Sequence, residues 1–213
     1  MSPKRSIFTV VFILALSQLM YAQSFWRVQI CGGISSNYLS TGILSNWGDG
    51  WVIGGSLSHS LNSQIDLAMN VSYSHYPYRG GNLPFGVVPA VYLGYYNSIS
   101  GKPTSAIETS VSARFSSSRP FIKPFLSLTT GLYRINIGEI IISSWHERSP
   151  QNVSYSIYNG SGKSITKVFA ALGAGISIAV NSYLGLVIEG RYVQFWDPME
   201  IFLPLLAGVQ IEL

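Results

Sequence analysis

The chain has 213 residues, of which 47% are hydrophobic and only 10% charged, against about 25% charged in ordinary soluble domains. Its formal charge of +4 comes without any basic run, so the sequence offers no nucleic-acid surface. Cys31 is the single cysteine, which excludes an intrachain disulfide.

At the N-terminus, Lys4 and Arg5 precede an apolar run at residues 7–16. The run is too short to cross a bilayer as a helix and has the layout of a secretion signal. Residues 1–22 are therefore expected to be a cleaved signal peptide, with removal after Ala22. Residues 23–213 would then form one domain.

No helical span follows. The best candidate, residues 168–180, is interrupted by Gly173, Gly175 and Ser177 and falls short of the roughly 20 residues a spanning helix needs. Apolar surplus without helices leaves strands that face lipid, because a closed barrel is the other structure that satisfies every backbone group in hydrocarbon.

Period-two alternation places strands at about 24–34, 50–61, 64–76, 105–116, 121–136, 164–181, 183–196 and 200–213. In the second, Trp51, Ile53, Leu57 and Leu61 alternate with Val52, Gly54, Ser56, Ser58 and Ser60. In the third, Ile65, Leu67, Met69, Val71 and Tyr73 alternate with Asp66, Ala68, Asn70, Ser72 and Ser74. In the last, Leu203, Leu205, Ala207, Val209, Ile211 and Leu213 alternate with Phe202, Pro204, Leu206, Gly208, Gln210 and Glu212. With lipid on the apolar side, the small and polar set faces inward, the inverse of a soluble barrel.

The connections sort by parity. Those after strands two, four and six are short, whereas those after strands one, three and five run over about 35–49, 77–104 and 137–163. Short turns at one end and long loops at the other are the signature of an up-and-down membrane barrel with its turns in the periplasm. The connection at 197–199 is short and departs from the pattern. Strand-like stretches at 87–97 and 153–158 read as strand extensions and a hairpin above the membrane, with a ten-stranded barrel as the alternative. The expected fold class is all-β, an eight-stranded antiparallel up-and-down transmembrane β-barrel.

The same alternation sends Arg27, Arg114, Lys167 and Arg191 inward together with Asp66, Glu108, Glu189 and Glu212. Charges withdrawn from water must be paired, and an eight-stranded bore is just wide enough for side chains to fill. A charge network that plugs the lumen is expected, with an ion path as the alternative. Glu189 and Arg191 lie on one side of their strand and could pair with neighbours such as Lys167 or Glu212. Cys31 is expected to be a small residue inside the barrel.

His59, His75 and His146 show no metal-ligand spacing. Ser58 and Ser60 flank His59 directly and so lie on the opposite face, which removes a His–Ser hydrolase pair; His75 beside Ser74 has no third partner. No catalytic, cofactor-binding or metal residues are assigned, and no cofactor is expected. Trp26, Phe115, Phe125 and Tyr183 at one end, and Trp51, Tyr73, Tyr133, Tyr192 and Trp196 at the other, read as two interfacial aromatic girdles. The loops offer Tyr78, Tyr92, Tyr95, Tyr96 and Trp145 as candidate contacts with a surface ligand.

Three stretches, residues 123–133 (KPFLSLTTGLY), residues 184–192 (LGLVIEGRY) and the terminal LLAGVQIEL, carry a resemblance to the small outer-membrane β-barrel domain family, the eight-stranded OmpX-like and OmpW-like proteins of Gram-negative bacteria. The resemblance implies an outer-membrane monomer in contact with membrane lipid and lipopolysaccharide. It also implies a C-terminal strand read by the barrel-assembly machinery, although members usually finish with an aromatic residue and this chain finishes with Leu213. OmpX-like members look like surface adhesion or defence proteins. OmpW-like members resemble narrow conduits for small hydrophobic molecules, for which Phe195, Phe202 and Leu206 are the inner-rim candidates. Lipid A modification is a third, enzymatic alternative.

Overall fold

Strict alternation of large apolar and small polar side chains commits these segments to pleated strands with one greasy face, and closure into a cylinder leaves no unpaired edge. The computed structural model describes residues 26–39, 47–79, 95–117, 121–146, 149–156, 164–196 and 201–213. The expected signal segment, Tyr92 and the short connection at 197–199 lie outside the described residues.

Eight strands close the barrel: β1 (Trp26–Leu39), β2 (Gly50–Ser60), β3 (Ile65–Tyr76), β5 (Thr104–Ser116), β6 (Ile122–Asn136), β9 (Ser164–Ala179), β10 (Leu184–Phe195) and β11 (Ile201–Glu212). Around the wall the order is β1-β11-β10-β9-β6-β5-β3-β2. Each wall strand pairs antiparallel with its neighbours, and β1 meets β11 from Arg27 opposite Glu212 to Leu39 opposite Ile201. The ten-stranded alternative is thereby set aside. Each expected strand is present, and the largest boundary change is at β1, which runs to Leu39 and takes up the start of the expected loop at 35–49.

Three further strands, β4 (Tyr95–Gly101), β7 (Ile140–His146) and β8 (Ser149–Ser156), form a separate sheet in the order β4-β7-β8. β4 leads into β5, and β6 leads into β7, so the β4–β7 pair continues the β5–β6 hairpin beyond the long-loop end. The break between the two pairs is bridged by Lys102 N–H donating to the Glu139 carbonyl at 2.8 Å, and Gly138 N–H donates to Thr104 Oγ1 at 2.9 Å. Gly138 is required there, since a Cβ would run into the Lys102 carbonyl.

The exterior is apolar and open. Met69 is 68% exposed and Leu126 64%, while the inward residues beside them are buried or half-buried. A water-soluble protein does not leave an entire cylinder of leucine, isoleucine and valine uncovered; in hydrocarbon the arrangement is the stable one. The wall strands contain 11 to 16 residues, at or above the roughly 9–11 that cross a bilayer at a tilt.

Exposed Trp26, Phe115, Phe121 and Tyr183 ring the short-turn end, and Trp51, Tyr73, Tyr192 and Trp196 ring the other. Phe125 and Tyr133, expected in these girdles, instead point into the bore and are buried. Their strand parity decides this: Phe125 shares a face with Lys123 and Ser127, so its aromatic ring belongs to the interior.

Candidate functional site: the filled bore

The interior is stacked in three tiers. Nearest the short turns, Arg27 on β1 reaches both Asp66 on β3 and Glu212 on β11, its Nη1 lying 2.7 Å from Asp66 Oδ2 and its Nε 2.9 Å from Glu212 Oε1. Ser60 Oγ donates to the other Asp66 oxygen at 2.6 Å. Beside this cluster, at the short-turn end, lies a vestibule of about 230 Å³ also lined by Lys123 and Gln210.

The middle tier centres on Glu189, which is 1% exposed. Its carboxylate takes Ser127 Oγ at 2.6 Å, Arg191 Nη2 at 3.1 Å and, from across the bore, Arg114 Nη2 at 3.8 Å. Arg191 turns its other terminal nitrogen to Glu108 at 3.7 Å. Glu108 in turn accepts from Ser72 at 3.0 Å, Ser110 at 2.7 Å and the Tyr133 hydroxyl at 2.9 Å. Arg114 donates to Gln29 Oε1 at 3.1 Å and lies with its guanidinium 4.2 Å from the Phe125 ring centre. Each ion loses several kcal/mol of hydration on entering such a site, and the density of donors around Glu108 and Glu189 is what offsets it.

Glycines make room for this crossing. In the β9–β10 pairing, Glu189 stands opposite Gly175 and Arg191 opposite Gly173. A Cβ on Gly173 would collide with Ser127 Oγ, and one on Gly175 would collide with the Ile188 carbonyl.

The upper tier is aromatic. Tyr76 and Phe202 sit with ring centres 5.6 Å apart, Phe202 and Phe195 5.4 Å, Phe195 and Tyr133 5.1 Å, and Tyr133 and Phe169 4.9 Å. Lys167 lies with Nζ 5.8 Å from the Phe195 ring centre. Above them Trp47, buried, donates through Nε1 to the Lys102 carbonyl at 3.0 Å and meets the Tyr78 ring edge-on at 6.2 Å.

All eight charged residues singled out in the sequence point into the bore. Their pairing differs from the expected one: Glu189 and Arg191 join each other and reach β5, and Glu212 is taken by Arg27. The reason is the narrow cylinder. Glu212 stands opposite Arg27 in the β1–β11 register, and Arg191 and Arg114, extending inward from β10 and β5, bring the carboxylates of these two strands within reach across the bore. Lys123, Gln29 and Ser127, which the same parity places inside, were not among the expected interior residues, and Tyr133 joins them there instead of the girdle.

Phe195, Phe202 and Leu206, the inner-rim candidates for an apolar conduit, are buried in the upper tier and its margin. The interior void bounded by Cys31, Glu108, Tyr133, Arg191 and Leu206 amounts to about 20 Å³, room for about one water. Cys31 Sγ lies 3.7 Å from the Gly54 carbonyl. His59 packs at a tilt against Trp26 and His75 stacks on Trp51, both on the outer face, whereas Ser60 and Ser74 are buried inside. Among the described residues no group of three His, Cys, Asp or Glu side chains could hold a metal ion.

Of the loop tyrosines, Tyr78 is half-buried against Trp47 rather than free, and its ring occupies the space a Cβ on Gly101 would need. Burial raises its phenol above the ordinary range. Tyr95 and Tyr96 lie on β4, paired with His146 and Trp145 of β7.

No family model matches the chain, and no curated protein is similar to it in sequence. Among solved structures it is similar to Neisserial surface protein A, with 17% identity over 89% of this chain and 97% of that one and a TM-score of 0.47. It is also similar to the N-terminal β-barrel domain of Pseudomonas aeruginosa OprF, with 16% identity over 88% and 97% and a TM-score of 0.44. A third is Ail, the attachment invasion locus protein of Yersinia pestis, with 12% identity over 89% and 97% and a TM-score of 0.46.

Proposed function

We propose that this chain is a non-enzymatic integral protein of a bacterial outer membrane, a sealed barrel whose long-loop end serves adhesion or contact within the envelope. The observation that carries the reading is the doubly filled bore: with an ion-paired tier below and an aromatic tier above, the void that the described residues enclose between them is about 20 Å³. A wall that transports nothing is a stand, and what it raises is the β4-β7-β8 sheet at the long-loop end.

An enzymatic reading has little to work with, because His59 and His75 occupy the faces of β2 and β3 opposite to the buried Ser60 and Ser74. The experiment has two arms. Reconstituted in a planar bilayer, the full-length protein is expected to be electrically silent; in cells, replacing residues 80–101 and 140–163 by short turns is expected to abolish surface binding while the barrel still shifts its gel mobility on boiling. Steady conductance would sink the sealed-stand reading, and altered lipid A mass spectra on deleting the gene would restore the enzymatic one.

A further inference from the structure

The outer wall carries a furrow that the sealed bore does not explain. Two grooves of about 390 and 730 Å³ adjoin along the outer wall over β6, β9 and β10, the larger reaching β5 and β11, and they meet at the cross-strand row Leu128, Leu172 and Tyr192, which lines both. These volumes fall within the roughly 300–1,000 Å³ of small-molecule sites. The floor is made by outward positions that carry almost no side chain: Ala170 and Ala174 on β9, and Gly190 on β10 opposite Ala174. Interior glycines are forced by contact, but a Cβ on Gly190 would meet no atom within 4 Å. The gap is therefore a feature of the exterior and not a by-product of packing inside.

Polar groups stand at the long-loop end of this apolar furrow. Gln194, opposite Ala170, lines it on the outer face and makes no hydrogen bond within the described residues, which in hydrocarbon leaves a carboxamide in need of a partner. Further toward the rim on β6, Arg134 is exposed and spends one donor on Ser164 Oγ at 2.9 Å; its terminal nitrogens have no partner among the described residues. Trp196, 70% exposed, flanks the same end.

An apolar trough, then an amide, then a guanidinium is the order of chemistry along a lipid, from acyl chain through carbonyl linkage to phosphate. We infer that this furrow holds an acyl chain of one anionic phospholipid from the surrounding leaflet, with Gln194 meeting its carbonyl and Arg134 a phosphate whose charge no headgroup cation offsets. The inference rests on the membrane reading of the exterior. Because lipid tails are as apolar as leucine, the chain gains nothing hydrophobically by leaving the bilayer. Close packing into the trough and the two polar contacts must hold it, which is why the polar pair decides specificity.

The test uses the full-length protein in vesicles of phosphatidylcholine containing a minority of phosphatidylglycerol with the same chains, followed by gentle detergent extraction and native mass spectrometry. The expected result is one retained phosphatidylglycerol, enriched over its share of the bilayer. Filling the furrow with Gly190→Leu should lower retention about tenfold. Arg134→Gln, which leaves the trough intact, should equalise the two lipids. Retention in proportion to bilayer composition, or unchanged in Gly190→Leu, overturns the inference. So do dimers that disappear with Gly190→Leu, which would give the furrow to a second copy. Heat-shifted gel mobility in the same samples reports insertion separately, so loss of lipid from an inserted barrel is distinguished from failure of the membrane reading.

Discussion

Gly173 on β9 and Glu189 on β10 occupy one another's space: a Cβ at the glycine would stand 2.7 Å from Glu189 Oε1. The absence of a side chain on one strand thus lets the carboxylate of the next lean into the bore and gather Ser127, Arg191 and Arg114. Gly173→Ala is expected to displace that carboxylate and destabilise the barrel by about 1–3 kcal/mol, the usual cost of overpacking. Equilibrium unfolding in lipid vesicles measures it. Adding Ser127→Gly, which removes the other atom in the way, should recover part of the loss.

The charge at Glu189 is a separate matter from its volume. Glu189→Gln keeps the shape but leaves Arg114 and Arg191 without the carboxylate they share, and breaking a buried pair from one side costs about 3–5 kcal/mol. Replacing Glu189 and Arg191 together by Leu and Met should cost less than Glu189→Leu and Arg191→Met summed, the mark of a direct pair. If the double replacement proves the more damaging, the tier owes its stability to something other than ion pairing.

In the upper tier, Phe195 touches Tyr133, Phe169 and Phe202, so truncation leaves a cavity its neighbours cannot close. Phe195→Ala is expected to cost about 3–5 kcal/mol. Conductance should remain at baseline, because the ion-paired tier beneath is untouched. A leak in this variant would mean that the aromatic cap alone seals the barrel.

The eight wall strands were legible because a membrane barrel writes its two environments into alternate residues, and β3 states the rule without exception from Ile65 to Ser74. The same rule sent all eight charged residues inward. Which charges pair was not legible, since it depends on the radius of the cylinder and on which strands face each other across it; Arg114 and Glu189 are 75 positions apart in sequence. β7 was missed because IIISSWH has no alternation and its partner, β4, lies across the β5–β6 hairpin. Phe125 and Tyr133 were misplaced for a different reason: aromatic character near a strand end outweighed a parity that already pointed inward.

Depth along β3 offers the sharpest test of what solvates the exterior. Ile65, Leu67 and Met69 share the outer face and climb from the short-turn rim toward mid-wall, where Met69 stands 68% exposed. On a water-facing surface, replacing each by arginine would change stability within about 0.5 kcal/mol. Facing lipid, the penalty must grow with distance from the interface, reaching about 2–4 kcal/mol at the midplane and falling to about 0–1 near the rim. The expected order of destabilisation, read from unfolding in vesicles, is Met69→Arg above Leu67→Arg above Ile65→Arg, with Ser63→Arg in the exposed turn close to neutral. A flat series would place water outside the wall, and the inward direction of the eight charged side chains in the bore would then need another cause.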